Sequence, residues 1–391
     1  MEEIRRSKNF LVVSIIPQRV SDEDAFKDLK ETKELIDTYG GKIKEFVIQR
    51  REVHARGMFI GWGKVQEIAS LVSELQVDIV VLNAIVRPAH IYEIKKQLEE
   101  HHPRIQVWDR VDLILEIFAE HAHTAEAKLQ IELAAMRHMG PRIYGMGYVL
   151  SRQGGGIGTL GIGETNTELM KRHWRTQIKK VNEKLQRHAV DREHQLEQRS
   201  KKGLQTVSII GYTNAGKTSL FNTLTGKKNS VQNALFVTLD SSVGKLFLPR
   251  TKKEILLTDT IGFIRNLPTS LIDAFRSTLM ESIHADLLLF VIDVTDADMQ
   301  QKIDVVEEIL WSLRLEKKQR LYVFNKIDAA DHIDKEGIQK EYDEYQPQFI
   351  SVKKGIGIDR LLQSVEESLT VHKELIGNVI KEAPRKKGIH V

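Results

Sequence analysis

Gly211, Tyr212, Thr213, Asn214, Ala215, Gly216, Lys217 and Thr218 follow the spacing G-x-x-x-x-G-K-[ST]. Glycines so placed let successive backbone N–H groups turn inward around phosphate oxygens, and a following helix adds its dipole. Lys217 would reach the β- and γ-phosphates, and the Thr218 hydroxyl would ligate Mg2+. Further along, Asp259, Thr260, Ile261 and Gly262 could hold Mg2+ through a water on Asp259 and present the Gly262 N–H to the γ-phosphate. Between these segments lie Phe236, Val237, Thr238, Leu239 and Asp240. There the Thr238 hydroxyl and carbonyl could meet both Mg2+ and the γ-phosphate and so act as a switch. In Asn325, Lys326, Ile327 and Asp328 a carboxylate can accept from the ring N–H and the exocyclic amine of guanine. Adenine would leave it unpaired, a discrimination on the order of 10⁴-fold. Ser351, Val352 and Lys353 are placed to close over the base. Taken singly, the later segments read equally well as turns or an edge strand. Their order implies a GTP-binding domain, with Lys217, Thr238 and Gly262 at the γ-phosphate.

Such a loop needs a strand before it and a helix after it. Apolar runs at 204–210, 255–257, 287–292 and 321–324 are each followed by turn residues and then a helical pattern, and 348–350 is short and strand-like. Runs apolar on both faces predict a doubly wound, mostly parallel α/β domain. Upstream, strand-like runs at 10–16, 45–49 and 78–82 alternate with helical patterns at 64–75 and 89–99, which predicts a small α/β unit. Residues 110–138 contain neither Gly nor Pro and set Ala122, Ala125, Leu129, Leu133 and Met136 on one helical face. A second breaker-free stretch, 164–202, carries Trp174, Ile178, Val181, Leu185 and Ala189 at helical spacing. Two long helices joined by about 25 residues imply an antiparallel helical hairpin. Gly154, Gly155, Gly156, Gly158, Gly161 and Gly163 crowd its connection. Their G-x-G-x-x-G spacing is no dinucleotide fingerprint, because no clear strand precedes it. Trp174 and Trp62 read as packing residues. The expected division is 1–109, a small α/β subdomain; 110–202, the hairpin; 203–371, the nucleotide domain; and 372–391, a basic tail.

Composition sets the outer limits. The chain has 391 residues, 41% hydrophobic and 29% charged, with no cysteine. That excludes disulfides, thiolate metal sites and a cysteine nucleophile, and fits a cytoplasmic protein, free or peripheral at a membrane. No window reaches the roughly 18 apolar residues of a membrane span, and the start lacks a signal-peptide pattern. A net charge of +4 proves no nucleic-acid partner. Its distribution says more, since 171–202 holds 11 Lys/Arg against four acidic residues. That surface suits a phosphate backbone, although charge alone fits a solvated helix face equally well.

The glycine loop 154–165, the phosphate loop, the 236–240 segment and the Asp-Thr-Ile-Gly-Phe-Ile-Arg-Asn-Leu-Pro stretch at 259–268 together resemble the HflX family of translational GTPases, over about residues 10 to 370. The resemblance implies a Ras-like G domain preceded by the α/β subdomain and a hairpin tipped by the glycine loop. It also implies binding to the large (50S) ribosomal subunit, with roles in ribosome splitting, rescue or biogenesis. GTP, GDP and Mg2+ would be the ligands and a monomer the state. The family usually has Arg at 160, Pro at 162, Ala at 237 and Ser at 218, where this chain has Leu160, Ile162, Val237 and Thr218. Phe263 stands where Ras-like enzymes carry a water-orienting Gln, so slow intrinsic hydrolysis is expected. An alternative reading keeps the GTPase switch but directs the helical arm to a non-ribosomal RNA or to a membrane-protein process.

Overall fold

The computed structural model describes residues 7–52, 59–153, 160–229, 235–236, 242–265, 267–268, 271, 281–330 and 332–382, without the side chains of 141–153, 160–167, 200 and 371–382. The chain divides into two compact units. The first comprises Met1–Val190, Ala234–Phe236 and Pro268–Phe275, and the second Asp191–Asn233, Val237–Leu267 and Arg276–Val391.

The first unit carries a parallel sheet of β1 (Asn9–Ile16), β2 (Lys42–Arg50), β3 (Ile79–Leu82) and β4 (Gln106–Asp109), in the order β2-β1-β3-β4. Helices α1 (Asp22–Tyr39) and α4 (Arg110–His121) pack together, as do α2 (Trp62–Glu74) and α3 (Pro88–Glu99). Leu11, Val13, Val80 and Leu82 meet Val65, Ile68, Val72, Ile91 and Ile94 in one core. Phe10, Val12, Val81 and Ile79 are equally buried. Cover on both faces is why β3 is wholly apolar and β1 nearly so, with only Ser14 inside its run.

Several expected boundaries move. Sequence patterning identified neither α1 nor β4. Ten of the 18 residues of α1 are charged, which dilutes its apolar stripe. The single helix expected over 110–138 is two, α4 and α5 (Ala125–Gln153). No Gly or Pro is needed for the break, because the Thr124 Oγ1 accepts the Ala127 N–H at 3.2 Å as an N-cap. Helix α5 also runs past Gly140 and Pro141, and α6 spans Leu160–Lys201, so the connection shrinks to 154–159. Gly154, Gly155, Gly156 and Gly158 lie outside the described residues, while Gly161 and Gly163 sit in the first turns of α6. Trp174 packs as expected: its Nε1 donates to the Met136 carbonyl at 2.9 Å, and a Cβ on Gly140 would lie 2.9 Å from that nitrogen. Trp62 is only half covered, 49% exposed.

The second unit has a six-stranded sheet of β5 (Thr206–Gly211), β6 (Ser242–Leu248), β7 (Lys253–Asp259), β8 (Leu287–Asp293), β9 (Arg320–Asn325) and β10 (Gln348–Phe349). The order is β10-β9-β8-β5-β7-β6, parallel except for β6 against β7. Residues of β5, β8 and β9 share a core with Leu220 and Phe221 of α7 (Lys217–Thr225) and with Leu361, Val365 and Leu369 of the helix Ile358–Glu382. The edge strand β6 escaped the sequence reading because Phe247, 57% exposed, stands on its solvent face and blurs the alternation.

Candidate functional site

In a doubly wound sheet, ligands collect beyond the carboxyl ends of the strands. The structure brings four of the expected segments to that edge in the second unit. β5 ends at Gly211, whose φ of 146° and close approach exclude a side chain; a Cβ there would lie 2.3 Å from the Val291 carbonyl oxygen. The loop turns through Asn214 (φ 62°) and Gly216 (φ 98°) into α7, which starts at Lys217. Thr213, Ala215 and Lys217 are buried, whereas Asn214 is exposed. The Lys217 ammonium donates to the Tyr212 carbonyl at 2.6 Å. Burial pulls its pKa down to about 8 against the opposing pull of the Asp259 carboxylate.

Asp259 ends β7, opposite Ile209 of β5, and is fully buried. The neighbouring Thr260 hydroxyl donates to the Ile209 carbonyl at 2.7 Å, and Ile261 is buried beside it. Gly262 follows against the phosphate loop: a Cβ on it would lie 2.8 Å from Lys217 Nζ and 2.7 Å from Thr213 Cγ2. Phe263 then forms a parallel bridge with Tyr212.

On the other flank, Asn325 ties two loops together. Its Nδ2 donates to the Ala215 carbonyl at 3.0 Å, and its Oδ1 accepts the Val352 N–H at 3.2 Å. Lys326 pairs with Asp293 at 2.7 Å, and the Ile327 N–H meets the Ile350 carbonyl. The exposed Asp328 accepts the Ser351 hydroxyl at 2.5 Å, a bond that holds its carboxyl below the usual range. Lys353, also exposed, supports the same shift by its charge. An ionised acceptor pre-oriented at the rim, next to Asn325, is the geometry that guanine recognition needs.

Of the 236–240 segment the structure describes Phe236 alone. Phe236 belongs to the first unit, with its ring edge-on to Phe118 at 4.6 Å, and the Leu235 N–H donates to Thr38 Oγ1. Val237, Thr238, Leu239 and Asp240 lie outside the described residues. Sequence reasoning also counted Tyr212 only for its backbone. Its hydroxyl accepts the Arg265 N–H at 2.8 Å, and Lys302 of α8 (Met299–Ser312) sits 4.8 Å from its ring centroid. The large aromatic at the first variable position of the loop was the one available signal. Arg265, two residues after Phe263, turns to Gln301 (2.7 Å) and Asp298 (3.5 Å) of the neighbouring segment.

Comparison with known proteins agrees with this geometry. Residues 27–119 match a family described as GTP-binding GTPase N-terminal, residues 121–199 the GTP-binding GTPase middle region, and residues 206–326 the 50S ribosome-binding GTPase family. A GTPase HflX of Caldanaerobacter subterraneus subsp. tengcongensis is 39% identical, over 100% of this chain and 92% of its own length. The GTPase HflX of Escherichia coli K12 is 36% identical over 88% of this chain and 79% of its own length. The crystal structure of SsGBP with GDP is 25% identical, covers 93% of this chain and 98% of its own, and superposes with a TM-score of 0.53. A phosphate loop, an Asp-x-x-Gly turn and an Asn-Lys-x-Asp rim on one sheet edge, together with this similarity along nearly the whole chain, mean that the protein belongs to the HflX family of GTP-binding GTPases.

Proposed function

We propose that the chain is a Mg2+-dependent GTP switch acting on the 50S ribosomal subunit in splitting, rescue or biogenesis of ribosomes. One observation carries the ribosomal half. Eight basic residues of 171–202 (Arg172, Arg175, Lys179, Lys180, Lys184, Arg187, Lys201 and Lys202) are solvent-exposed, outside the nucleotide site. A charged helix face of that length contacts RNA through its phosphates, giving affinity without sequence readout. The matched description of residues 206–326 as a 50S ribosome-binding GTPase supports the same partner.

At the nucleotide, Gly211 to Thr218 cradle the phosphates and Lys217 neutralises them. Asp328 and Asn325 select guanine, with Ser351 to Lys353 closing over it. The Thr218 hydroxyl and the buried Asp259 carboxylate beside Lys217 are hard oxygen donors of the kind Mg2+ takes. Thr238 of the switch segment would complete the site. The metal would draw negative charge off the β- and γ-oxygens. Phe263 has no polar group to orient water, so docking on the ribosome must complete the site before hydrolysis is fast. Co-sedimentation of the full-length protein with 50S subunits tests the reading: retention with a non-hydrolysable GTP analogue should exceed retention with GDP. Equal retention, or none, rejects the ribosomal switch.

A further inference from the structure

Three hydrogen bonds tie the 259–265 segment to the phosphate loop. The Thr213 N–H donates to the Phe263 carbonyl at 2.9 Å, and the Phe263 N–H to the Gly211 carbonyl at 3.2 Å. The third runs from the Arg265 N–H to the Tyr212 hydroxyl at 2.8 Å. In this arrangement Gly262 abuts the Lys217 ammonium, which is itself folded onto the Tyr212 carbonyl. A γ-phosphate needs that ammonium and the Gly262 N–H on opposite sides of it, so the segment must withdraw to admit it. A diphosphate makes no such demand.

Only the third bond is made by a side chain, and that side chain is held from several directions. Tyr212 is 6% exposed. Lys302 lies over its ring and is anchored by an ion pair with Asp296. Arg265, whose N–H the hydroxyl receives, has its guanidinium bound to Gln301 and Asp298. A single phenol therefore connects the phosphate loop, the segment that must move and α8.

We propose that Tyr212 is a specificity-determining residue that biases the site toward GDP, latching the 259–265 segment in the position that excludes a γ-phosphate. GTP binds against the cost of opening this latch, and GDP binds with it closed. The inference rests on the placement of the γ-phosphate between Lys217 and Gly262 and is independent of the ribosomal partner.

The test is equilibrium titration of the full-length protein with fluorescent GDP and with a fluorescent non-hydrolysable GTP analogue. Tyr212→Phe keeps the ring and removes the hydroxyl, so the ratio of analogue affinity to GDP affinity should rise about 3- to 10-fold, the range a neutral hydrogen bond spans. Gln301→Ala loosens Arg265 without touching the phosphate loop and should shift the ratio the same way by a smaller factor. Amide exchange at Arg265 in the GDP-bound protein should quicken in both variants. A ratio within twofold of the parent in Tyr212→Phe overturns the latch. So does parallel weakening of both nucleotides, which would make Tyr212 a plain support of the loop. If Tyr212→Phe does not fold, an unchanged ratio and exchange rate in Gln301→Ala overturn it equally. Lys217→Ala tests the underlying site separately, since it should weaken both nucleotides whether or not the latch exists.

Discussion

Lys217 is a buried cation whose neighbours compensate it only in part, and its pKa near 8 records that. Phosphates would restore the compensation, so binding should raise that pKa and take up a proton wherever the free lysine is partly neutral. GTP affinity should therefore fall as pH rises through 8 and be insensitive to this group at about pH 6–7. Calorimetry at pH near 8 in two buffers of different ionisation enthalpy measures the uptake. Identical apparent heats would contradict the assignment. Asp328 offers a second test at this scale. Its carboxylate, held by Ser351, is an acceptor only, and Asp328→Asn presents an amide donor to a base edge that also donates. The variant should lose GTP affinity by about two to three orders of magnitude and gain affinity for xanthosine triphosphate, which carries an oxygen where guanine has its amine. Competition binding with the two nucleotides reads the exchange directly, and unchanged preference would remove Asp328 from base recognition.

Among the elements, the junction of β4, α4 and α5 is held by ionisable groups. Asp109 and Asp112 form a capping box at the start of α4, and His138 of α5 lies 3.0 Å from one carboxylate and 3.4 Å from the other. Burial alone would lower the His138 pKa, but the hydrogen bonds and charges of the two aspartates outweigh it and raise the pKa to about 9. A folded pKa above the unfolded 6.5 means stabilisation that is complete below pH 6.5 and lost as pH climbs through 9. The stabilisation is on the order of 3 kcal/mol at most. Denaturant unfolding of the first unit should show stability declining over that window, and His138→Gln should flatten the decline. A parent protein equally stable at both ends would refute the link. A latch such as Tyr212 belongs to this scale too, because its effect arises from which elements its hydroxyl joins.

For the whole molecule, the test is electrostatic. If the exposed basic face binds ribosomal RNA, 50S affinity should fall steeply with salt, with a slope that counts phosphate contacts. Replacing Lys179, Lys180, Lys184 and Arg187 by Gln should weaken binding at low salt and reduce the slope by about one per lost contact. Retained affinity with an unchanged slope would assign the contact to another surface. No helix among the described residues is long and apolar enough to cross a membrane.

The phosphate loop, the Asp-x-x-Gly turn and the Asn-Lys-x-Asp rim were legible in the sequence, because each works through local backbone geometry or a few side chains at constant spacing. The buried strands β5, β8 and β9 were legible for a related reason, since cover on both faces demands nearly continuous apolar runs, broken in β5 by the buried Ser208. Elements with a diluted signal were not: the highly charged α1, and β6 with Phe247 turned to solvent. Residues 110–138 looked like one helix because a Thr N-cap starts a second helix without the Gly or Pro that would mark the break in the sequence. Tertiary structure alone decided which distant groups meet. His138 reaches Asp109 across 29 positions, and Asn325 bonds the Ala215 carbonyl across 110. The Tyr212 hydroxyl receives an N–H from Arg265, 53 residues on. Such contacts follow from strand order and helix packing, and no local pattern encodes them, because each partner's residue type is compatible with many other neighbours.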